Sequence, residues 1–445
     1  MHLNRKSVYL YTMTELVGKT IINNSDFVDA DTADTETPNA EMANTESVIT
    51  DTTSISNYPE IATWEDITSY INSDNTIHIL RGIYGYGFER PSPIQQKSIL
   101  PMLDKKDLVA QAQSGTGKTG AFTVGCLSMI DTKLPKVQAI LMSPTRELAM
   151  QTYEVMRAIG TYIKDLNVQL CVGGGSVDTN IRNLRDNVPQ VVVGCPGRIH
   201  DMIRRNVIDT KDTKVLILDE ADEMLSTGFK EQVYNIFQFL PKDVQLCFYS
   251  ATIPHEITEL TRKFMRNPIK ILVKSENLTL EGISQYSVCV DDDQQKYETL
   301  KDLFSALQVS QTIIYCNSVK RVRDLYEALC DDGFPVCAIH SGMEKHERTE
   351  SYKEFKSGKH RVLVSSNVTA RGIDVQQVSI VINFDIPKCV HTYLHRIGRS
   401  GRWGRKGVGI NFVTSRDTRY VKAIEEHYVT KISELPASFM NNGLN

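Results

Sequence analysis

The stretch Ala110–Thr119, AQAQSGTGKT, constrains this chain more than any other. Its last eight residues match G-x-x-x-x-G-K-[ST], except that Ala112 stands where the first glycine usually does. Such a loop turns backbone N–H groups onto phosphates at the start of a helix. It needs a strand ending before it and a helix opening after it, and DLVAQA supplies a strand-like run directly upstream. Ala112, Gln113, Ser114, Gly115, Thr116 and Gly117 are therefore expected to cradle a nucleoside triphosphate. Lys118 places a compact charge on the β- and γ-phosphates, and the Thr119 hydroxyl suits Mg²⁺.

The 445 residues ask for more than one ordinary core. From Arg81 onward, apolar runs alternate with helix-like stretches. The first half holds DLVAQA, QAILMS, QVVVGC, KVLILD and QLCFYS, and the second QTIIYC, FPVCAIH, HRVLVSS, SIVINFD and GVGINFV. Continuous rather than alternating runs suggest parallel strands covered on both faces. Stretches such as RELAMQTYEVMRAIG between them give the rhythm of open α/β sheets. Two similar α/β domains in tandem result, with boundaries at 63–272 and 283–445 and a polar linker at 273–282. Residues 1–62 read as a disordered acidic tail: from Ile21 to Leu80 there are twelve Asp or Glu and no Lys or Arg. Net charge is −4, so setting aside that −12 and the +2 of residues 1–20 leaves +6 for residues 81–445, which fits a polyanion ligand. No apolar run approaches the roughly 20 residues needed to span a bilayer, and no secretory signal is expected. The nine cysteines form no C-x-x-C pair, and the ten histidines show no metal-ligand spacing.

In KVLILDEADEML an apolar run ends in Asp219, Glu220, Ala221 and Asp222. Acids at the carboxyl end of a strand sit where α/β sheets bind ligands. Asp219 is placed to hold Mg²⁺ and Glu220 to orient or deprotonate the attacking water. The second half has no phosphate loop, but HRIGRSGRWGR spaces Arg396, Arg399 and Arg402 three apart. Arginines reaching ATP held by the other domain would stabilise the charge of phosphoryl transfer, so hydrolysis would need the domains to close.

These motifs resemble the DEAD-box RNA helicases of superfamily 2, over a match that runs from about Arg81 to the C-terminus. DEAD stands at 219–222, GFERPSPIQ at 87–95 looks like the Q motif, and PTRELA lies at 144–149. Gly173–Gly174, Pro196–Gly197–Arg198, Ser250–Ala251–Thr252, IIYCNS, ARGIDV and HRIGRSGR follow in order. Within the family the wording is similar to the initiation-factor-4A branch, as in RGIYGYGFERPS and ARGIDVQQVSIVINFDIP. The resemblance implies two RecA-like domains, each a mostly parallel sheet with helices on both faces. It implies that Gln95 reads adenine, Asp374 touches the ribose, and Arg399 and Arg402 are arginine fingers. Pro144, Thr145, Arg146, Gly173, Gly174, Gly197, Arg198 and Arg371 would contact RNA, while Asp222, Ser250 and Thr252 couple hydrolysis to unwinding. Such contacts grip phosphates and 2′-hydroxyls, so RNA binding is expected to be sequence-independent.

The chain departs from the family's wording at several points. Cys195 precedes PGR where threonine is usual, Asn367 stands for an aspartate, and Lys345 for a glutamine. Either Tyr70 or Trp64 answers to the family's upstream aromatic over the adenine. The expected activity is ATP- and Mg²⁺-dependent RNA unwinding or remodelling of RNA–protein complexes. The alternative is an ATP-dependent RNA clamp or assembly platform with little turnover, motivated by Cys195 and Asn367. A cytoplasmic or nuclear monomer, without membrane attachment and open to stimulating scaffold proteins, completes the expectation.

Overall fold

The computed structural model describes residues 59–71, 75–112, 115–226, 228–271, 283–306, 311–370, 378–400 and 407–436, together with Phe439. The expected tail up to residue 58, the linker 273–282, and Gln113, Ser114, Arg371, Asp374 and Arg402 lie outside them.

The first sheet comprises β1 (Leu108–Gln111), β2 (Ala139–Met142), β3 (Val168–Cys171), β4 (Val191–Gly194), β5 (Val215–Asp219), β6 (Gln245–Ser250) and β7 (Ile269–Ile271). The second comprises β8 (Ile283–Cys289), β9 (Gln311–Tyr315), β10 (Val336–Ile339), β11 (Val362–Ser365), β12 (Val378–Asn383), β13 (Gly407–Val413) and β14 (Ser433–Glu434). Their orders are β3-β4-β2-β5-β6-β1-β7 and β10-β11-β9-β12-β13-β8-β14. Adding seven to each label of the first order gives the second, so the two sheets share one topology. Neighbouring strands pair in parallel, as in Ala110 against Tyr249 and Val381 against Ile313.

Alternate residues of one strand serve opposite cores. Ala139 and Leu141 enter one buried cluster and Ile140 and Met142 the other. In the second sheet Ile314 faces one cluster while Ile313 and Tyr315 face the other. Helices cover both faces of each sheet, and a strand buried on both faces has no polar side to show, which is why its sequence runs apolar. The two units are RecA-like α/β folds in tandem. Packing of the first reaches back to Ile61, which is 1% exposed and whose N–H donates to the Gln96 carbonyl at 3.4 Å. That is two residues ahead of the expected boundary at 63.

Topology brings the chemistry together. In the first sheet β5, β6 and β1 are adjacent, so the phosphate loop after β1, the acids after β5 and Ser250–Thr252 after β6 share one carboxyl edge. In the second, β11, β9 and β12 are adjacent, which gathers the segments beginning at Ser366, Cys316 and Phe384.

Candidate nucleotide and RNA site

The phosphate loop leads into the helix Lys118–Met129, whose N-cap is Gly117 at φ 100°. That left-handed backbone suits glycine. The loop's first residue, Ala112, continues β1: its N–H donates to Ser250 O at 3.0 Å, and its own carbonyl accepts from Lys118 Nζ at 2.8 Å. Ala112 thus serves through its backbone, and its methyl group is buried. Thr119 is half-buried in the helix's first turn. Gln95, only 2% exposed, ties the neighbouring helix to the loop. Its Oε1 accepts from Ser92 N at 2.7 Å, and its Nε2 donates to Gly117 O at 3.2 Å. Of the two candidate aromatics, Trp64 is fully buried and stacks at 17° on Phe88, whereas Tyr70 is 50% exposed.

Three carboxylates stand behind the loop. Asp219, Glu220 and Asp222 are all nearly buried, and Lys118 Nζ lies 3.3 Å from Glu220 Oε1. Burial, reinforced by the Glu220 charge, pushes the Asp219 carboxyl up to about 7. Three buried acids clustered beside Lys118 form a set of hard oxygens of the kind that suits a divalent cation such as Mg²⁺. Glu220 holds a left-handed φ of 53°, rare for a residue with a side chain and typical of functional sites.

The third acid reaches the second unit. Asp222 Oδ2 accepts from Thr252 Oγ1 at 2.7 Å, and His395 Nε2 lies 3.2 Å from the same oxygen. Ser250 Oγ accepts from Asp222 N at 3.4 Å. His395 lies on the helix Val390–Ile397 and is almost completely buried. Sequence reasoning quoted it without giving it a role, although it opens the arginine run. Arg399 is also buried, with Nε donating to His395 O at 3.1 Å.

A separate cavity of about 520 Å³ is lined by residues of both units. Pro144, Thr145, Arg146, Gly173, Gly197 and Arg198 line it, and Arg348 and Val368 enter from the second unit. Thr145 caps the helix Arg146–Ile159, and Pro196 opens the helix Pro196–Arg204, so two helix N-termini present N–H groups here. Arg198 Nη2 donates to Gly175 O at 3.3 Å and Nη1 to Asn180 Oδ1. Gly174 lies at the interface instead, where Lys345 and Arg146 crowd its α-carbon. Arg348 Nη2 donates to Glu147 Oε1 at 2.7 Å across the units, a contact that the sequence did not announce. The Nε atoms of Arg146 and Arg348 are buried without a hydrogen-bond acceptor among the described residues. Cys195 lines the same cavity, and burial pushes its thiol up to about 12, so it stays neutral.

Residues 92–260 match the DEAD/DEAH box helicase model, and residues 295–404 match the helicase conserved C-terminal domain. Eukaryotic initiation factor 4A of Caenorhabditis elegans is 50% identical over 382 residues, 86% of this chain and 93% of the relative. The chain belongs to the DEAD/DEAH box helicase family. It is an ATP-dependent RNA helicase by family, with an ATPase that depends on RNA. Eukaryotic initiation factor 4A-III homolog B of Oryza sativa subsp. japonica is likewise 50% identical, over 84% of this chain and 92% of its own. Among solved structures, Dbp5 of S. cerevisiae bound to RNA and ADP BeF3 superposes with a TM-score of 0.78 at 32% identity, covering 84% of this DEAD-box chain and 96% of that one.

Proposed function

We propose that the two units close on ATP and RNA together, and that hydrolysis reopens them, locally separating short duplexes or remodelling RNA–protein complexes. The observation that carries this reading is the shared cavity, where Arg146 and Arg198 of the first unit and Arg348 of the second face one space. Buried guanidinium donors without acceptors call for an anion, and a phosphate backbone supplies a row of them. Closing over RNA also seats His395 on Asp222, at the end of the acid strand, so one movement serves both ligands.

For ATP, Lys118 binds the β- and γ-phosphates and Gln95 holds the loop in register. Glu220 accepts the proton of the attacking water, whose oxygen bonds to the γ-phosphorus as the bond to the β-phosphate oxygen breaks. Arg399, with Arg402, neutralises charge on the transferring group, and Asp222, Ser250 and Thr252 relay closure. Asp219 and Thr119 would hold Mg²⁺, which would supply positive charge against the phosphates. The likeness to translation factors supports a cytoplasmic site, with the nucleus as the alternative, and a monomer stimulated by scaffold proteins.

Glu220→Gln tests the cycle, because it removes the water-activating carboxylate while keeping the shape. It is expected to lower ATP turnover by ~100-fold or more. The variant should nonetheless hold RNA longer than the parent when ATP is present, in a filter-binding chase. Rapid RNA release from it would contradict the assignment.

A further inference from the structure

Arg396 is a fully buried cation of the second unit, with no exposed surface. Its guanidinium has donors only, so oxygens must surround it. Nε and Nη2 both donate to Asn367 Oδ1, at 2.9 and 2.6 Å. Nη2 also donates to Asn317 Oδ1 at 2.8 Å, and Nη1 to Asn383 Oδ1 at 3.1 Å and Asp385 O at 2.8 Å. The Tyr315 ring lies 5.1 Å from its centre.

None of these acceptors is a carboxylate. The nearby Asp385 carboxylate is committed elsewhere: it accepts from Arg321 at 2.7 Å and from Asn317 N at 3.0 Å, with Lys296 at 3.5 Å. Burial without a paired anion pushes the Arg396 guanidinium down to about 10. A buried charge held by neutral groups depends heavily on each hydrogen bond it keeps. Asn367 provides two of the five, and it comes from the loop after β11, whereas Arg396 belongs to the helix Val390–Ile397.

That helix is the one that meets the acids. His395, next in sequence to Arg396, touches Asp222, and Arg399 follows just past the helix's end at Ile397, its N–H donating to Arg396 O at 3.1 Å. We propose that Asn367 is a positioning residue for ATP turnover: its oxygen seats Arg396 and so fixes the helix that carries His395 to Asp222 and Arg399 to the nucleotide. The inference rests on the closure reading given above. It explains how an uncharged residue can stand here, because Arg396 needs an oxygen at this point and finds its remaining acceptors in Asn317, Asn383 and a backbone carbonyl.

The test is steady-state ATP hydrolysis by the full chain with saturating single-stranded RNA, with thermal melts confirming folding. A misplaced catalytic helix costs ~10- to 100-fold in rate, so Asn367→Ala should lose that much kcat while its KM for ATP stays within about twofold. Asn367→Asp keeps the oxygen and should stay within about threefold of the parent. His395→Ala should lose kcat similarly, and the double variant N367A/H395A should be no worse than the poorer single one, since both act through one helix. Should N367A not fold, Asn367→Leu, close in size and without an oxygen, takes its place with the same reading. A normal kcat in N367A, a failing N367D, or losses that multiply in the double variant would each overturn the inference. If H395A alone leaves turnover unchanged, the closure reading fails and takes this inference with it. An impaired H395A beside a normal N367A sinks only the role of Asn367.

Discussion

Asp219 shows how one buried residue carries both the chemistry and its cost. Its folded-state carboxyl titrates near 7, above the ordinary carboxylate range, because burial and the Glu220 charge disfavour ionisation. A raised value means that the folded protein binds the proton more tightly than the unfolded chain. The stabilisation is full below about pH 4, the unfolded value, and is lost as pH rises through the folded one. Asp219→Asn removes this titration. In metal-free urea melts the variant should therefore gain stability relative to the parent between pH 5 and 8, by roughly 2 kcal/mol or more at the upper end. Its ATPase should be lost. A difference that does not change with pH would show that Asp219 is not a strained acid. The residues of the loop and the acid cluster were legible because contiguous spacing defines them. His395, Arg348 and the Asn clamp were not, since each acts on a partner far away in sequence that only the fold brings near.

At the scale of elements, the glycine turn after β3 and the second unit's helix Lys345–Lys356 meet at the interface. Gly174 has φ 104°, and a Cβ there would lie 2.1 Å from Lys345 Cδ and 2.6 Å from Arg146 Nη1. Gly174→Ala is strained within its own left-handed loop and obliges the Lys345 and Arg146 side chains to leave their present contact across the interface. It should fold, bind ATP normally and lose about tenfold or more in RNA-stimulated turnover, with little change in the RNA-free rate. Unchanged stimulation would show that the two elements need not approach this closely. Strand legibility follows burial in the same physical way. Central strands such as β5, with five buried residues in VLILD, announce themselves. The strands β3, β7, β8 and β14 do not, because they lie at or next to sheet edges and are short or half-exposed, as in IKI and ISQYSVC. An edge strand needs only one covered flank, and its sequence carries a correspondingly weaker pattern.

For the whole molecule, tandem sheets of one topology place two carboxyl edges against each other. Tandem α/β architecture was readable from the rhythm of apolar runs, whereas the mutual placement of the units was not, because Arg348–Glu147 and His395–Asp222 join residues 201 and 173 positions apart. With RNA seated in the cavity, the three arginines lining it would make RNA affinity salt-dependent. Arg146→Ala should flatten the dependence of log affinity on log salt by roughly 0.7, the value of one phosphate contact on a single strand. An unchanged slope would remove Arg146 from the phosphate path. The central claim is that RNA in the cavity and ATP at the loop are served by one closure. Steady-state ATP hydrolysis by the intact chain, with and without single-stranded RNA and with DNA of the same sequence as control, tests it most directly. The account predicts that RNA raises turnover by ~10-fold or more while DNA does not, since 2′-hydroxyls are read along with phosphates. Turnover indifferent to RNA, or raised equally by DNA, would contradict it.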